Sequence, residues 1–214
     1  PPRRRTRAHK VVYFRDRDQY RAAVARMHPG AEETLGIYFS DRQTAYFFAG
    51  ADQDPGTLFH EATHQLFQES RPSKSVVTLR DNFWIVEGIA CYMESLQLKD
   101  SIALLGRPTS GRLPAARVRL LKDDFYVPFS EMASLGTAEI QRHPRIRTLY
   151  SQAAGQATFL MQAGAGRYRR ALCEYLQAVY RGSANATTLA KLTGEDYGEL
   201  DRQYRAFLQQ ASRR

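Results

Sequence analysis

The chain has 214 residues, 43% of them hydrophobic and 11% aromatic, which is long enough to bury a core and too aromatic for a disordered segment. Its 31 Lys+Arg against 22 Asp+Glu give a formal charge of +9, carried mostly by arginine. Much of that charge lies at the ends and in loops, as in Arg3–Arg5, Arg213 and Arg214. No arginine cluster alternates with aromatics to build a base-stacking platform, so a specific nucleic-acid partner is not expected. No apolar run approaches the length needed to span a membrane. Cys91 and Cys173 are too few for a disulfide framework and too irregularly placed for a zinc knuckle, and the sequence leaves open whether they pair. The chain begins at Pro1, which reads as a processed or trimmed start, so the lack of a signal peptide carries no information on export.

In chain order, Lys10–Phe14 reads as a strand and Asp18–Met27 as a helix with apolar spacing. Gly36–Phe39 and Thr44–Phe48 are β-rich runs around the polar turn Ser40-Asp41-Arg42-Gln43, a hairpin signal. After Gly50 the pattern turns helical, with helices predicted over Pro55–Glu69, Phe83–Leu98, Pro128–Leu135, Leu149–Gln162, Arg167–Tyr180 and Glu195–Gln210. The stretch Gly106–Pro114 reads as an exposed loop, and its arginine-rich surroundings (Arg107, Arg112, Arg117, Arg119) are candidates to cover a cleft. The expected fold class is α+β: a small N-terminal β-sheet with metal-site helices, followed by a mainly helical C-terminal half. A single domain over 1–214 is expected, with sub-lobes 1–105 and 115–214 as a variant.

The strongest local signal is His60-Glu61-Ala62-Thr63-His64. On a helix, residues four apart lie about 40° from one another around the axis, so both imidazoles face the same way. Glu61 lies about 60° from His64, within reach of a metal-bound water without being a ligand. Asp54-Pro55 supplies an N-cap acceptor followed by proline at the first helical position, and Ser70-Arg71-Pro72 supplies a stop. Leu58, Phe59, Ala62, Leu66 and Phe67 are expected to bury the face opposite the histidines. Two histidines satisfied in a helix–helix contact are the plain alternative.

A second element, Trp84-Ile85-Val86-Glu87-Gly88-Ile89-Ala90, carries one carboxylate in an otherwise apolar helix, where a charge is costly unless paired or bound to metal. Small Gly88 and Ala90 would let this helix pack closely on the metal helix. Two histidines and one glutamate leave the fourth position of a tetrahedral Zn2+ open for water, the arrangement of a catalytic site. Glu87 paired with an arginine is the competing reading. Among the neighbours, Cys91 reads as a small packing residue near the site rather than a ligand. Glu94 reads as a partner orienting a histidine or as part of a solvated face. His143 in Arg142-His143-Pro144-Arg145 reads as a surface-loop histidine, and His9 and His28 carry no motif.

On these residues the chain resembles the gluzincins, zinc peptidases with His-Glu-x-x-His and a downstream glutamate on a second helix. More narrowly, it is similar to the peptidase-MA-like domains of bacterial exported proteins, a group that includes many domains of unknown function. The resemblance implies a zincin-like fold, zinc on His60, His64 and Glu87, Glu61 as general base and a peptide or protein substrate. It also implies export to the periplasm, the cell surface or the medium. It continues into Tyr150-Ser151-Gln152-Ala153, where Tyr150 matches the tyrosine that supports the oxyanion in aminopeptidase-type relatives; a tyrosine packed on the core is the equal alternative. No Gly-x-Met-Glu-Asn-like segment precedes the motif, which counts against binding a free N-terminus. The strand before the metal helix, Thr44–Phe48, is the candidate edge for an extended peptide. Two further readings stand: a zinc-retaining, non-catalytic peptide- or polymer-binding module, and an arginine-surfaced binder of anionic polymers.

Overall fold

The computed structural model describes residues 8–70 and 78–210. Arg3–Arg5, Arg213, Arg214 and the expected stop at Arg71-Pro72 lie outside them. The described residues fall into two compact units, one within residues 8–70 and one within 78–210. The division precedes the Gly106–Pro114 stretch.

The first unit is built on a three-stranded sheet in the order β1-β3-β2, with β1 at Lys10–Phe14, β2 at Ile37–Phe39 and β3 at Thr44–Phe48. The hairpin forms as expected, β2 running antiparallel to β3 with Ile37 opposite Tyr46 and Phe39 opposite Thr44. Between β1 and β2 lies α1 (Arg17–Met27), whose N-cap Asp16 accepts the Gln19 N–H at 2.9 Å. Because α1 intervenes, β1 can join the far side of β3 in parallel, Lys10 opposite Thr44 and Phe14 opposite Phe48. Tyr20 and Val24 of α1 bury against Tyr46 and Phe48 on one face of β3. The other face meets α2 (Pro55–Glu69): a Cβ on Gly36 would lie 2.9 Å from both the Phe47 ring and the Thr57 methyl, so only glycine fits between hairpin and helix. All five residues of β3 are therefore buried, the outcome expected of a strand covered on both faces.

The second unit is helical. Its centre is α3 (Phe83–Met93), buried from Phe83 through Tyr92, packed on α7 (Ile146–Gly166), which also carries α4 (Leu113–Leu121). Gly88 makes the closest approach: a Cβ there would sit 2.8 Å from the Ala153 carbonyl oxygen of α7. Gly88, read from sequence as packing on the metal helix, thus meets α7. Around this pair lie α5 (Phe129–Ser134), α6 (Thr137–Gln141), α8 (Arg169–Tyr180), α9 (Thr188–Thr193) and α10 (Tyr197–Gln210). An aromatic chain runs through the core, with ring centroids 5.7 Å apart for Trp84–Phe129, 6.2 Å for Phe129–Phe159 and 5.9 Å for Phe159–Tyr204. Buried Gln152 is satisfied by both backbone groups of Val127, at 2.9 and 2.6 Å.

The α+β expectation holds, with a small N-terminal sheet followed by helices. Several segments differ from the sequence reading. The helix predicted over Phe83–Leu98 ends at Met93. The Ser95 hydroxyl donates to the Tyr92 carbonyl at 2.6 Å and accepts the Gly106 N–H at 2.9 Å, and the chain then forms a ribbon of β4 (Gln97–Lys99) and β5 (Ile102–Leu104). Its turn is closed by Asp100 and Ser101 at φ 49° and 66°. The expected loop ends at Arg112, because Pro114 sits in the first turn of α4, where its missing N–H is not needed. Arg117 and Arg119 accordingly stand on a helix rather than in a loop. Among the described residues, no helix is long and apolar enough to cross a membrane.

Candidate metal centre

In the first unit, α2 starts as the sequence requires: the Asp54 carboxylate accepts the Gly56 N–H at 2.9 Å, with Pro55 in the first turn. One turn apart on this helix, His60 and His64 bring their Nε2 atoms to 3.1 Å, with ring centroids 4.8 Å apart and planes at 77°. In a chain without metal, one nitrogen donates to the other. Two imidazole nitrogens on a tetrahedral zinc, each at about 2.0–2.1 Å, stand roughly 3.3 Å apart. The histidine pair is therefore already spaced as a zinc would hold it. Glu61, on the same helix, accepts the Tyr38 N–H of β2 through Oε2 at 2.8 Å.

Two sequence expectations are corrected here. The first concerns the face of α2 opposite the histidines. Leu58 and Leu66 are exposed, and the buried positions are Gly56, Thr63 and Gln65. Burial of these polar side chains is affordable because each is bonded. Thr63 donates to the Phe59 carbonyl at 2.6 Å, and Gln65 donates to the Lys10 carbonyl and the Glu69 carboxylate at 2.9 and 3.0 Å. The second concerns β3, which cannot offer an edge to a peptide because β1 and β2 pair with its two sides. The edges of this sheet are β1 and β2, and the Tyr38 N–H that Glu61 accepts belongs to an edge strand.

In the second unit, Glu87 lies in α3 with 8% of its surface exposed. The Tyr150 phenol, in the second turn of α7, hydrogen-bonds to it. The phenol's pKa is raised far above its ordinary value. Burial is the main cause, followed by the charge of Glu87 and of Cys91 and the hydrogen bond to Glu87, with Arg112 opposing. Tyr150 is thus a firm proton donor. Beside it, Arg112 binds Glu94 through Nε at 2.7 Å and Nη2 at 2.9 Å, and its guanidinium carbon lies 5.9 Å from the Tyr150 ring centre. Burial works against the charge of Arg112. That is the largest single effect, but Glu94, Cys91 and Glu87 together outweigh it, so the guanidinium is held charged more firmly than usual. Glu94 is therefore half of a two-pronged ion pair and not part of a solvated face.

The structure thus brings His60, Glu61 and His64 together on α2, and Glu87 and Tyr150 together between α3 and α7. Arg112 was legible only as a basic loop residue; its pairing with Glu94, eighteen positions earlier, leaves no local pattern. Cys91 is buried, Cys173 is exposed, and neither is in a disulfide. His143 accepts the Arg145 N–H at 3.0 Å within its own turn, and His9 bonds Glu69 at 2.9 Å. No family model matches the chain. No curated protein matches it either.

Proposed function

We propose that the chain is a zinc-dependent hydrolase of peptide bonds, with zinc held by His60, His64 and Glu87. The observation that carries the proposal is the convergence of the two Nε2 atoms at 3.1 Å on a helix that also bears Glu61. Glu87 supports it as a buried carboxylate, hydrogen-bonded by the Tyr150 phenol. Bound zinc supplies an activated water and polarises the scissile carbonyl. Glu61 takes the proton of the attacking water and passes it to the leaving amine. To reach that water its carboxylate gives up, or shares, the Tyr38 N–H it now accepts. Tyr150 donates to the oxygen on which negative charge grows, a task suited to a phenol that keeps its proton.

Metal content of the purified protein tests this, with wild type measured beside His60→Ala and Glu61→Gln. About one zinc per chain is expected in wild type and Glu61→Gln, and none in His60→Ala. A peptide-library digest should then show cleavage by wild type and none by Glu61→Gln. Zinc without cleavage moves the reading to a zinc-retaining binding module. Wild type that takes up no zinc on reconstitution overturns the proposal.

A further inference from the structure

We propose that Arg112 is a specificity residue that reads a carboxylate on the substrate, an Asp or Glu side chain or a free C-terminus. The inference deepens the zinc-peptidase reading and rests on it for its catalytic readout. Arg112 is the residue at which α4 begins, so its backbone is fixed, and Glu94 fixes its side chain from one edge. A guanidinium carries five N–H donors in a planar fork. Glu94 occupies two of them, and among the described residues Arg112 makes no other hydrogen bond. Solvent still reaches 35% of its side chain. The Nη1 hydrogens and the second Nη2 hydrogen are thus left over from the Glu94 pair, on a guanidinium that is held in place and partly exposed.

Its surroundings favour a substrate role over a plain tether. Arg112 borders a recess with room for about one water-sized group, lined also by Cys91, Ser95, Ser110 and Thr158. The polar side chains there bond inward: Ser95 and Thr158 donate to backbone carbonyls of their own helices' turns, and Ser110 to Arg107. Arg112 is left as the group with donors to spare. It lies beside Tyr150, the residue given to the growing negative charge, and within electrostatic range of Glu87. A fork already locked by Glu94 loses little freedom on taking a second carboxylate, and its partial burial strengthens the new ion pair. A site that leaves such donors unpaired discriminates against the uncharged analogue.

The test uses paired peptides: Glu against Gln at the residues flanking the cleaved bond, and free acid against amide at the C-terminus. Wild type is compared with Arg112→Lys and with Arg112→Met/Glu94→Met, which removes both halves of the ion pair and so leaves no buried carboxylate alone. Wild type is expected to favour the carboxylate member by about 10–100-fold in kcat/KM. The ratio should fall several-fold in Arg112→Lys and to about 1 in the double variant. The pair that shows the ratio identifies which carboxylate is read. Binding of the same peptides to zinc-loaded Glu61→Gln, followed by fluorescence anisotropy, reads the preference without turnover. Preference in binding with no cleavage by wild type refutes the peptidase reading and leaves Arg112 standing. Cleavage or binding without preference, no binding of either member, or a ratio that survives in the double variant overturns the assignment. A residue that only ties α3 to α4 would lower the melting temperature and leave the ratio where it was.

Discussion

Gly88→Ala tests the seating of α3 on α7 and, through it, the placement of Glu87. The added Cβ would lie 2.8 Å from the Ala153 carbonyl oxygen and 3.2 Å from its carbon, where ordinary contact begins at 3.4 Å. The obstacle is backbone inside a helix, so it cannot rotate away. The helices must separate by roughly 0.6 Å or tilt. Overpacking of this kind costs about 1–3 kcal/mol, and alanine returns up to about 1 kcal/mol through its better helix propensity. The net expectation is a loss of about 1–2 kcal/mol, read as a fall of about 2–8 °C in melting temperature. Because Glu87 is the adjacent residue on a helix buried along most of its length, the displacement carries its carboxylate with it, and zinc affinity should drop about tenfold. Thermal melts of the metal-free protein and competition against a chelating dye measure the two effects. Gly198→Ala in α10 is the control: its nearest neighbour is the Asp196 Oδ1 atom at 3.3 Å, which caps the helix by accepting the Glu199 N–H and needs to shift only slightly, so little loss is expected. A Gly88→Ala protein as stable as wild type would refute the close seating of α3.

Glu61→Gln should keep zinc and lose about 10²–10⁴-fold in kcat, since the amide cannot take the proton; a loss of zinc instead would make Glu61 a ligand. Tyr150→Phe should lower kcat about 10- to 1000-fold with little change in KM, and an unchanged kcat would assign Tyr150 to packing alone. Stability at alkaline pH should report Tyr20, whose pKa is pushed up to about 12, mainly by burial, with Glu61 adding and the Thr34 hydrogen bond opposing. A raised pKa means the neutral form is favoured in the fold. Its contribution, about 3 kcal/mol, is therefore complete below pH 10 and lost as pH rises from 10 through 12. Urea midpoints between pH 9 and 12 should fall less steeply for Tyr20→Phe than for wild type, and parallel curves would refute the assignment.

The elements legible in the sequence are those whose signal is local. β1 and β3 begin and end where their β-rich runs do, and α2 begins at the Asp54-Pro55 cap, because the capping bond involves residues two apart. The missed helices have weaker marks. α6 and α9 span five and six residues, too short to show a period, and α4 hides its buried stripe of Leu113, Ala116 and Leu120 among arginines. The β4–β5 ribbon turns on Asp100-Ser101, neither of them glycine, so nothing announces the left-handed backbone there.

Where sequence reading went astray, the deciding contact is between residues distant in the chain. The family resemblance makes Thr44–Phe48 the candidate edge, but β1 pairs with the side of it that the hairpin leaves open. Its run of Ala45-Tyr46-Phe47-Phe48, apolar without alternation, was already the mark of a strand buried on both faces. On α2 the apolar residues point to one buried face, yet the buried side chains include Thr63 and Gln65, about 160° apart around the axis, because their polar groups find the Phe59 and Lys10 carbonyls and Glu69. A hydrophobicity pattern cannot foresee a hydrogen bond to a residue 55 positions away. The candidate site divides in the same way. His60, Glu61 and His64 are fixed by the pitch of one helix, so five residues suffice to read them. Tyr150 and Arg112 acquire their chemistry only when α7 and α4 carry them to the flank of α3. Chemistry written in one helical turn can be read from sequence, whereas selectivity assembled from three helices has to be read from the fold.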